Sequence, residues 1–113
     1  MFITTIMWNC NQSATIDSKN AINFVEDSNY YFLDVRTMRE HADGSIPNTA
    51  CIPLQELSLR LGELNDYRDK KVIVYCRSGN RSEKATKILK EKGFDAINLI
   101  GGMNSWEGEI VSN

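Results

Sequence analysis

Short apolar runs alternate along the chain with segments whose apolar residues recur every three or four positions. Three runs have strand length and are apolar on both faces: YYFLDV (30–35), KVIVY (71–75) and AINLI (96–100). Such runs are typical of strands buried in a parallel sheet. A shorter run, ACI, leads into Pro53 and predicts a further short strand.

The first helical segment precedes the 30–35 run. Asp17 can cap a helix that extends to about Asp27. The inner face of this helix consists of Ala21, Ile22 and Val25. Residues 38–50 then predict a short helical turn followed by a loop, because Gly44 and Pro47 break the pattern.

Two more amphipathic helices are predicted further along. One continuous helix is indicated by a leucine face: Leu54, Leu57, Leu61 and Leu64. The other follows Cys76, and its inner face consists of Ala85, Ile88 and Leu89. Gly93 suits the C′ position that ends this helix. Its outer face is expected to be solvated and carries Lys84, Lys87 and Lys90.

Strands that alternate with helices predict an α/β domain of three layers around a mostly parallel sheet. The length of 113 residues suits one domain, assigned to residues 14–113, with residues 1–13 as an N-terminal extension. A short terminal helix is expected within GGMNSWEG. Ligands of such sheets bind beyond the carboxyl ends of the strands.

Composition and charge exclude several classes of function. The net charge of −2 indicates no nucleic-acid partner, and no segment reaches the roughly 18 apolar residues that span a membrane. The first residues lack the basic region of a signal peptide, so we expect a cytoplasmic protein. The chain has three cysteines, an odd number, and their spacing includes no CxxC motif, which disfavours a disulfide framework or a zinc site. The single histidine further disfavours a metal site.

The loop CRSGNR (76–81) joins the end of the 71–75 strand to the start of the next helix. Unpaired backbone N–H groups and the helix dipole favour an anion there, and Arg77 and Arg81 add positive charge. These factors favour a Cys76 thiolate near neutral pH. Gly79 lets the amides of the loop turn towards the sulfur. Either Asn80, in a capping box with Glu83, or Ser82 could cap the helix.

The loop CRSGNRS resembles the active-site loop of the rhodanese (thiosulfate sulfurtransferase) family. Upstream, FLDVRTMREHADGSIPNTACIPL is similar to the amino-side signature of that family, and downstream, GFDAINLIGGMNSW is similar to the carboxyl-side signature. The resemblance covers about residues 15–110. It implies a rhodanese-like three-layer α/β domain with a mostly parallel five-stranded sheet flanked by helices.

The resemblance also implies a double displacement. Cys76 would be the catalytic nucleophile that takes sulfur from thiosulfate or a similar donor, holds it as a persulfide and passes it to cyanide or a thiol. The substrate-binding residues carried over from the family loop are Arg77, Ser78, Gly79, Asn80 and Arg81. No cofactor and no metal are implied. We expect a monomer, with thioredoxin or a cysteine desulfurase as candidate partners.

Three positions depart from the family pattern. Ser45 stands where the family often has His, Asn48 where Gly is common, and Cys51 where Asn or His is usual. These departures concern local packing more than catalysis. Cys51 is interpreted as non-catalytic, as is Cys10, although either could resolve an oxidised Cys76 if it lay close by.

Other candidate residues are assigned structural roles. Asp34 and Arg36 resemble a catalytic carboxylate and an anion binder, but in the family these positions support the sheet end and the loop. His41 is interpreted as a partly exposed packing residue rather than a base. Trp106 is expected in the core.

Two other functions compete with sulfur transfer. A cysteine phosphatase or arsenate reductase can share this fold, but its loop needs Cys-x5-Arg, whereas Cys76 and Arg81 form Cys-x4-Arg. No evident aspartate acts as general acid. A non-catalytic interaction module usually lacks the cysteine. A protein-to-protein persulfide carrier remains open, because it needs the same persulfide as a thiosulfate enzyme.

Overall fold

The computed structural model describes residues 14–113, and its centre is a five-stranded sheet. The strands are β1 (Thr15–Ile16), β2 (Tyr30–Asp34), β3 (Ala50–Cys51), β4 (Lys71–Tyr75) and β5 (Asp95–Leu99). They lie in the order β1-β5-β4-β2-β3, and every neighbouring pair is parallel. The three long runs of the sequence therefore form the three central strands, as predicted.

Helices and turns connect these strands. The α-helices are α1 (Ser18–Ala21), α2 (Met38–Asp43), α3 (Leu54–Leu57), α4 (Asn80–Glu91) and α5 (Gly102–Ser105). Two 3₁₀ segments, Ile22–Phe24 and Leu61–Tyr67, follow α1 and α3. Gly93 has φ +91° directly after the C-cap of α4, which confirms it as the C′ residue. None of the described helices is long and apolar enough to cross a lipid bilayer.

Two helix predictions were wrong in extent. Asp17 caps α1 through a 3.0 Å bond from the Asn20 N–H, but the α-helix gives way to 3₁₀ geometry at Ile22. Ile22 is 39% exposed and so does not belong to the predicted inner face, whereas Ala21 is buried and Val25 packs against the same core cluster. The leucine helix is also interrupted, because the chain turns at Leu59, which is 89% exposed.

The leucine face is nevertheless used. Leu57 and Leu64 are buried and Leu54 and Leu61 pack against the same core cluster, although α3 and the 3₁₀ segment hold them separately. Gly62, with its low helix propensity, lies at the start of that second segment. The predicted spacing thus located the inner face but not the break between the two segments.

The core lies on both faces of the sheet, and β4 divides it. Val72 and Val74 point into the cluster beneath α3 and α4, whereas Ile73 and Tyr75 point into the cluster that contains Trp106. Side chains of a strand alternate between faces, so a strand apolar throughout needs cover on both. Trp106 is 8% exposed, which confirms its core assignment. Five strands covered by helices on both faces confirm the predicted three-layer architecture.

Asn48 explains one departure from the family pattern. Its φ is +62°, and it is the sole non-glycine residue with positive φ in the described part of the chain. Asparagine tolerates this left-handed conformation better than most residues with a Cβ atom, so it can replace the glycine. Ser45 is buried and forms an antiparallel bridge with Val111, which ties this loop to the end of the chain.

Candidate functional site

Cys76 follows β4 directly and lies at the carboxyl edge of the sheet. Its Sγ atom accepts hydrogen bonds from the backbone N–H groups of Gly79, at 3.1 Å, and Ser82, at 3.4 Å. The Oγ atom of Ser82 lies 3.4 Å from the same sulfur. Cys76 is 1% exposed, so the sulfur is enclosed by the loop that donates to it.

The carbonyl groups of the loop are held on the other side by α5. The Cys76 carbonyl accepts from the N–H of Met103 at 2.9 Å, and the Arg77 carbonyl accepts from the N–H of Asn104 at 3.0 Å. Gly102, with φ +52°, makes this approach possible, because a Cβ atom there would collide with the Cys76 carbonyl oxygen. The Gly101–Gly102 pair of the downstream signature therefore lets α5 pack against the loop and hold its carbonyl groups.

Neither predicted helix cap is present. Gly79, with φ +108°, is the N-cap residue of α4, and no side chain caps the helix there. Asn80 is the first helical residue and Ser82 the third. The backbone N–H of Ser82, which a capping side chain would normally bind, donates to Cys76 Sγ instead. The sulfur thus acts as the acceptor that caps α4.

Asn98 is a site residue that the sequence analysis missed. It lies on β5, is 7% exposed, and its Oδ1 accepts from Ser82 Oγ at 2.5 Å. Its Nδ2 donates to the Gly79 carbonyl at 3.3 Å. One buried amide therefore contacts Gly79 and Ser82, two of the residues whose N–H groups donate to the sulfur. The signal was available, since Asn98 is the polar residue within the apolar run AINLI.

The hydrogen bonds decide the ionisation of Cys76. Burial acts to raise the pKa of the thiol, but the contact with the Ser82 hydroxyl and the hydrogen bonds from the backbone N–H groups of Ser82, Gly79 and Ser78 outweigh it, and the pKa is lowered. A lowered pKa increases the fraction of nucleophilic thiolate at neutral pH. The predicted thiolate is supported, and donors of the loop itself provide it.

The two loop arginines have an acidic partner that the sequence analysis did not assign. Arg81 binds both carboxylate oxygens of Glu40, at 2.8 and 3.0 Å, and Arg77 Nη2 lies 3.5 Å from Glu40 Oε2. Arg81 lies in the first turn of α4, and Arg77 is 64% exposed. Their role in binding substrate stays a prediction, as does that of Asn80.

Asp34 and Arg36 form a buried network beside the loop. Arg36 donates from Nε and Nη2 to the Asp34 carboxylate at 2.7–3.1 Å, and Nη2 also reaches the Gly44 carbonyl at 2.7 Å. Nδ1 of His41 lies 2.9 Å from Asp34 Oδ2. The network joins the end of β2 to α2 and the following loop, which agrees with the structural role expected for Asp34 and Arg36. His41 is 13% exposed and belongs to this network.

Cys51 lies at the same edge but faces the other way. It pairs in register with Asp34, and Asp34 pairs with Tyr75, so Cys51 shares its face of the sheet with Tyr75. Cys76 is one residue further on and points to the opposite face. This arrangement disfavours Cys51 as a resolving thiol for Cys76. Cys10 and the extension 1–13 lie outside the described residues.

The ligand-type atoms of Asp34, His41 and Cys51 lie within 4.8 Å of one another. Arg36 already binds both oxygens of the Asp34 carboxylate. Burial first of all, with a contribution from Asp34, raises the pKa of the Cys51 thiol to about 12. A cation at this position would have to displace the Arg36 guanidinium group from Asp34 and bind the Cys51 thiolate, which the raised pKa disfavours. The cluster is therefore better described as a structural network than as a metal centre.

Comparison with known proteins agrees with this geometry. The family model of the rhodanese-like domain matches residues 17–109. The "Putative sulfurtransferase YtwF" of Bacillus subtilis is 40% identical over 83 residues, which cover 74% of this chain and 79% of that protein. The "Putative sulfur carrier protein YrkF" of the same organism is 38% identical over 84 residues, covering 74% of this chain and 44% of that protein.

The fold has a solved counterpart. A rhodanese-like domain protein from Staphylococcus aureus superposes with a TM-score of 0.79 at 31% identity, covering 88% of this chain and 98% of that one. The sheet, the cysteine loop at its carboxyl edge and the family match all concern the same stretch of residues. The chain belongs to the rhodanese-like domain family.

Proposed function

We propose that this protein is a sulfurtransferase that carries sulfane sulfur as a persulfide on Cys76. The observation that carries the proposal is the set of N–H donors from Gly79 and Ser82 that converge on Cys76 Sγ and favour its thiolate. A persulfide keeps one negative charge near the same donors. The loop therefore suits both states of the cysteine without a separate general acid.

The proposed reaction has two displacements. The Cys76 thiolate attacks the outer sulfur of thiosulfate, the sulfur–sulfur bond of the donor breaks, and sulfite leaves with the electron pair. Cyanide or a thiolate then attacks the outer sulfur of the persulfide, and the Cys76 thiolate is released. No proton needs to be supplied when cyanide is the acceptor. Arg77 and Arg81 would attract the anionic donor, and Ser78, Gly79 and Asn80 would contribute backbone amides.

The enclosure of Cys76 is consistent with a sulfane donor. The residue is 1% exposed, so a substrate must present the atom to be transferred at a narrow end. The terminal sulfur of thiosulfate meets this condition. The four-residue spacing between Cys76 and Arg81 also gives a smaller loop than phosphate binding needs.

Intact mass spectrometry tests the proposal. After incubation with thiosulfate, the wild-type protein should gain one sulfur atom, which cyanide should remove as thiocyanate. Cys76→Ser should gain none, whereas Cys51→Ala and Cys10→Ala should load as the wild type does. An equal gain in Cys76→Ser, or no gain in the wild type from thiosulfate and from a desulfurase alike, would contradict the proposal.

The same protein can act as a carrier rather than as a thiosulfate enzyme. Steady turnover with thiosulfate and cyanide, and no other protein present, would identify the enzyme. Loading of Cys76 by a desulfurase but not by thiosulfate would identify the carrier. Both outcomes keep the Cys76 persulfide and differ only in its source.

A further inference from the structure

Glu40 lies between the loop arginines and is held rigidly in place. Its side chain is 18% exposed, and its Oε1 accepts from the Thr37 N–H at 3.0 Å and from Thr37 Oγ1 at 3.2 Å. Thr37 Oγ1 in turn accepts from the Glu40 N–H at 3.1 Å, which completes a capping box at the start of α2. The carboxylate is thus fixed by its own helix before it meets the arginines.

This carboxylate occupies the donors that an anionic substrate would need. Arg81 uses two N–H groups on Glu40, and such a paired contact is the arrangement in which arginine binds carboxylates most strongly. Arg77 contributes the weaker contact, at 3.5 Å, and stays 64% exposed. Arg77, Arg81 and Glu40 together carry a net charge of about +1, so an anionic substrate near the loop is attracted roughly as by a single cation.

The negative charge is permanent under ordinary conditions. The hydrogen bond from Arg81, together with those from Thr37, lowers the pKa of Glu40 to about 2 even though burial opposes the shift. Glu40 therefore remains a carboxylate throughout the neutral range. Its effect on a substrate is set by the charge of that substrate and not by pH.

We propose that Glu40 is a specificity-determining residue that disfavours dianionic sulfur donors and favours donors with one negative charge or none. The inference rests on the proposed sulfur transfer at Cys76. It assigns to Glu40 an electrostatic effect exerted on the donor itself and through Arg77 and Arg81. Repulsion grows in proportion to the charge of the donor, so a dianion loses twice the binding free energy of a monoanion.

Glu40→Gln is the matched variant, because glutamine also suits the third helical position of a capping box and removes only the charge. Two donors with the same terminal sulfur differ in charge: thiosulfate, with two negative charges, and methanethiosulfonate, with one. Each gives its outer sulfur to Cys76, and the leaving groups are sulfite and methanesulfinate, respectively. The assay measures KM for each donor with cyanide as acceptor.

The variant should bind both donors more tightly, but to different extents. We expect KM for thiosulfate to fall about tenfold and KM for methanethiosulfonate about threefold, because the electrostatic free energy scales with charge. Glu83→Gln is the control, since it removes an exposed carboxylate in the first turn of α4. It should leave the ratio of the two KM values within about twofold of the wild type at physiological ionic strength.

Glu40→Ala separates charge from helix capping. It removes the same charge and also the contacts to Thr37, so it should change the KM ratio in the same direction but with a lower melting temperature. An unchanged ratio in folded Glu40→Gln, or a higher KM for thiosulfate, would overturn the inference. Failure of the wild type to load sulfur from these two donors and from a desulfurase would instead overturn the proposed function.

Discussion

Cys76 and Cys51 both lie at the carboxyl edge of the sheet, yet their surroundings differ in one respect. Around Cys76, backbone N–H groups of Gly79 and Ser82 point at the sulfur. Around Cys51, the sulfur itself donates to the carbonyl groups of Arg36, at 3.5 Å, and Thr37, at 3.8 Å. One cysteine meets donors and the other meets acceptors.

The comparison separates burial from ionisation. Cys76 is the more deeply buried of the two, at 1% exposed, and still its pKa is lowered, because donors outweigh the burial that opposes them. Cys51 is half-buried, and burial raises its pKa to about 12, because no hydrogen-bond donor within residues 14–113 offsets it. The orientation of neighbouring peptides, more than depth, thus decides which cysteine is a nucleophile.

The largest expected effect comes from the network on the side of Cys51. Asp34→Asn leaves Arg36 buried with a weakened partner, and breaking a buried ion pair costs about 3–5 kcal/mol. Urea unfolding should show this loss in the free energy of unfolding. Asp95→Asn breaks the exposed pair with Lys71 and should cost about 1 kcal/mol or less. Equal losses would mean that the Asp34 network does not support the fold as inferred.

The next effect concerns the support beneath Cys76. Gly102→Ala adds a Cβ against the Cys76 carbonyl at a positive φ, and we expect a loss of about 3 kcal/mol in the free energy of unfolding. Sulfur loading measured by mass spectrometry should fall as well, because the loop is displaced. Gly62→Ala is the control, since nothing lies within 4 Å of an added Cβ there. Normal loading by Gly102→Ala would show that the contact with α5 is dispensable.

A smaller and more specific effect is expected at Ser82. Ser82→Ala removes the hydroxyl that lies 3.4 Å from Cys76 Sγ and helps to lower the pKa of the thiol, so the pKa of Cys76 should rise. Thiolate absorbance followed against pH measures the shift. Loading at a pH below the new pKa should slow by up to about tenfold. Ser58→Ala, at an exposed serine, should leave the titration unchanged.

The lowered pKa of Cys76 also makes the free energy of unfolding depend on pH. Because the folded pKa lies below the unfolded one, ionisation adds to the free energy of unfolding as pH rises through the folded pKa, and the gain is complete above the unfolded value. The gain disappears as pH falls through the folded pKa. Ser82→Ala should reduce this pH dependence, and an undiminished dependence would assign it to another group.

The smallest effect is expected at Cys51. Cys51→Ala should cost about 1 kcal/mol in the free energy of unfolding, as for a half-buried small side chain. The low-pH part of the thiolate titration should stay unchanged, because it belongs to Cys76. Loss of that part in Cys51→Ala would reverse the comparison between the two cysteines.

The sequence predicted the parts of the site that are contiguous along the chain. The apolar run that stops at Cys76 identified the central strand, and the small and basic residues after it identified the loop. Contacts between residues far apart in the sequence could not be predicted from it. Glu40 and Arg81 are 41 positions apart and meet only because β2 and β4 are neighbours, an order that periodicity does not reveal.

Asn98 and the cap of α4 were missed for different physical reasons. Asn98 reads as one polar residue in a buried strand, and its partner Ser82 is identified only when β5 lies beside the loop. The cap was assigned to oxygen-bearing side chains because these are the usual acceptors. Here the acceptor is a sulfur atom four positions before the helix begins, which the sequence pattern of caps does not include.

The central place of β4 has a consequence for hydrogen exchange. With β5 on one side and β2 on the other, the amides of β4 exchange with solvent only when a large part of the sheet separates. The reactive sulfur is attached directly to this strand, so its anchor is expected among the slowest-exchanging segments of the molecule. The protein can therefore lose local order at its edges, β1 and β3, while the reactive atom keeps its position relative to the core.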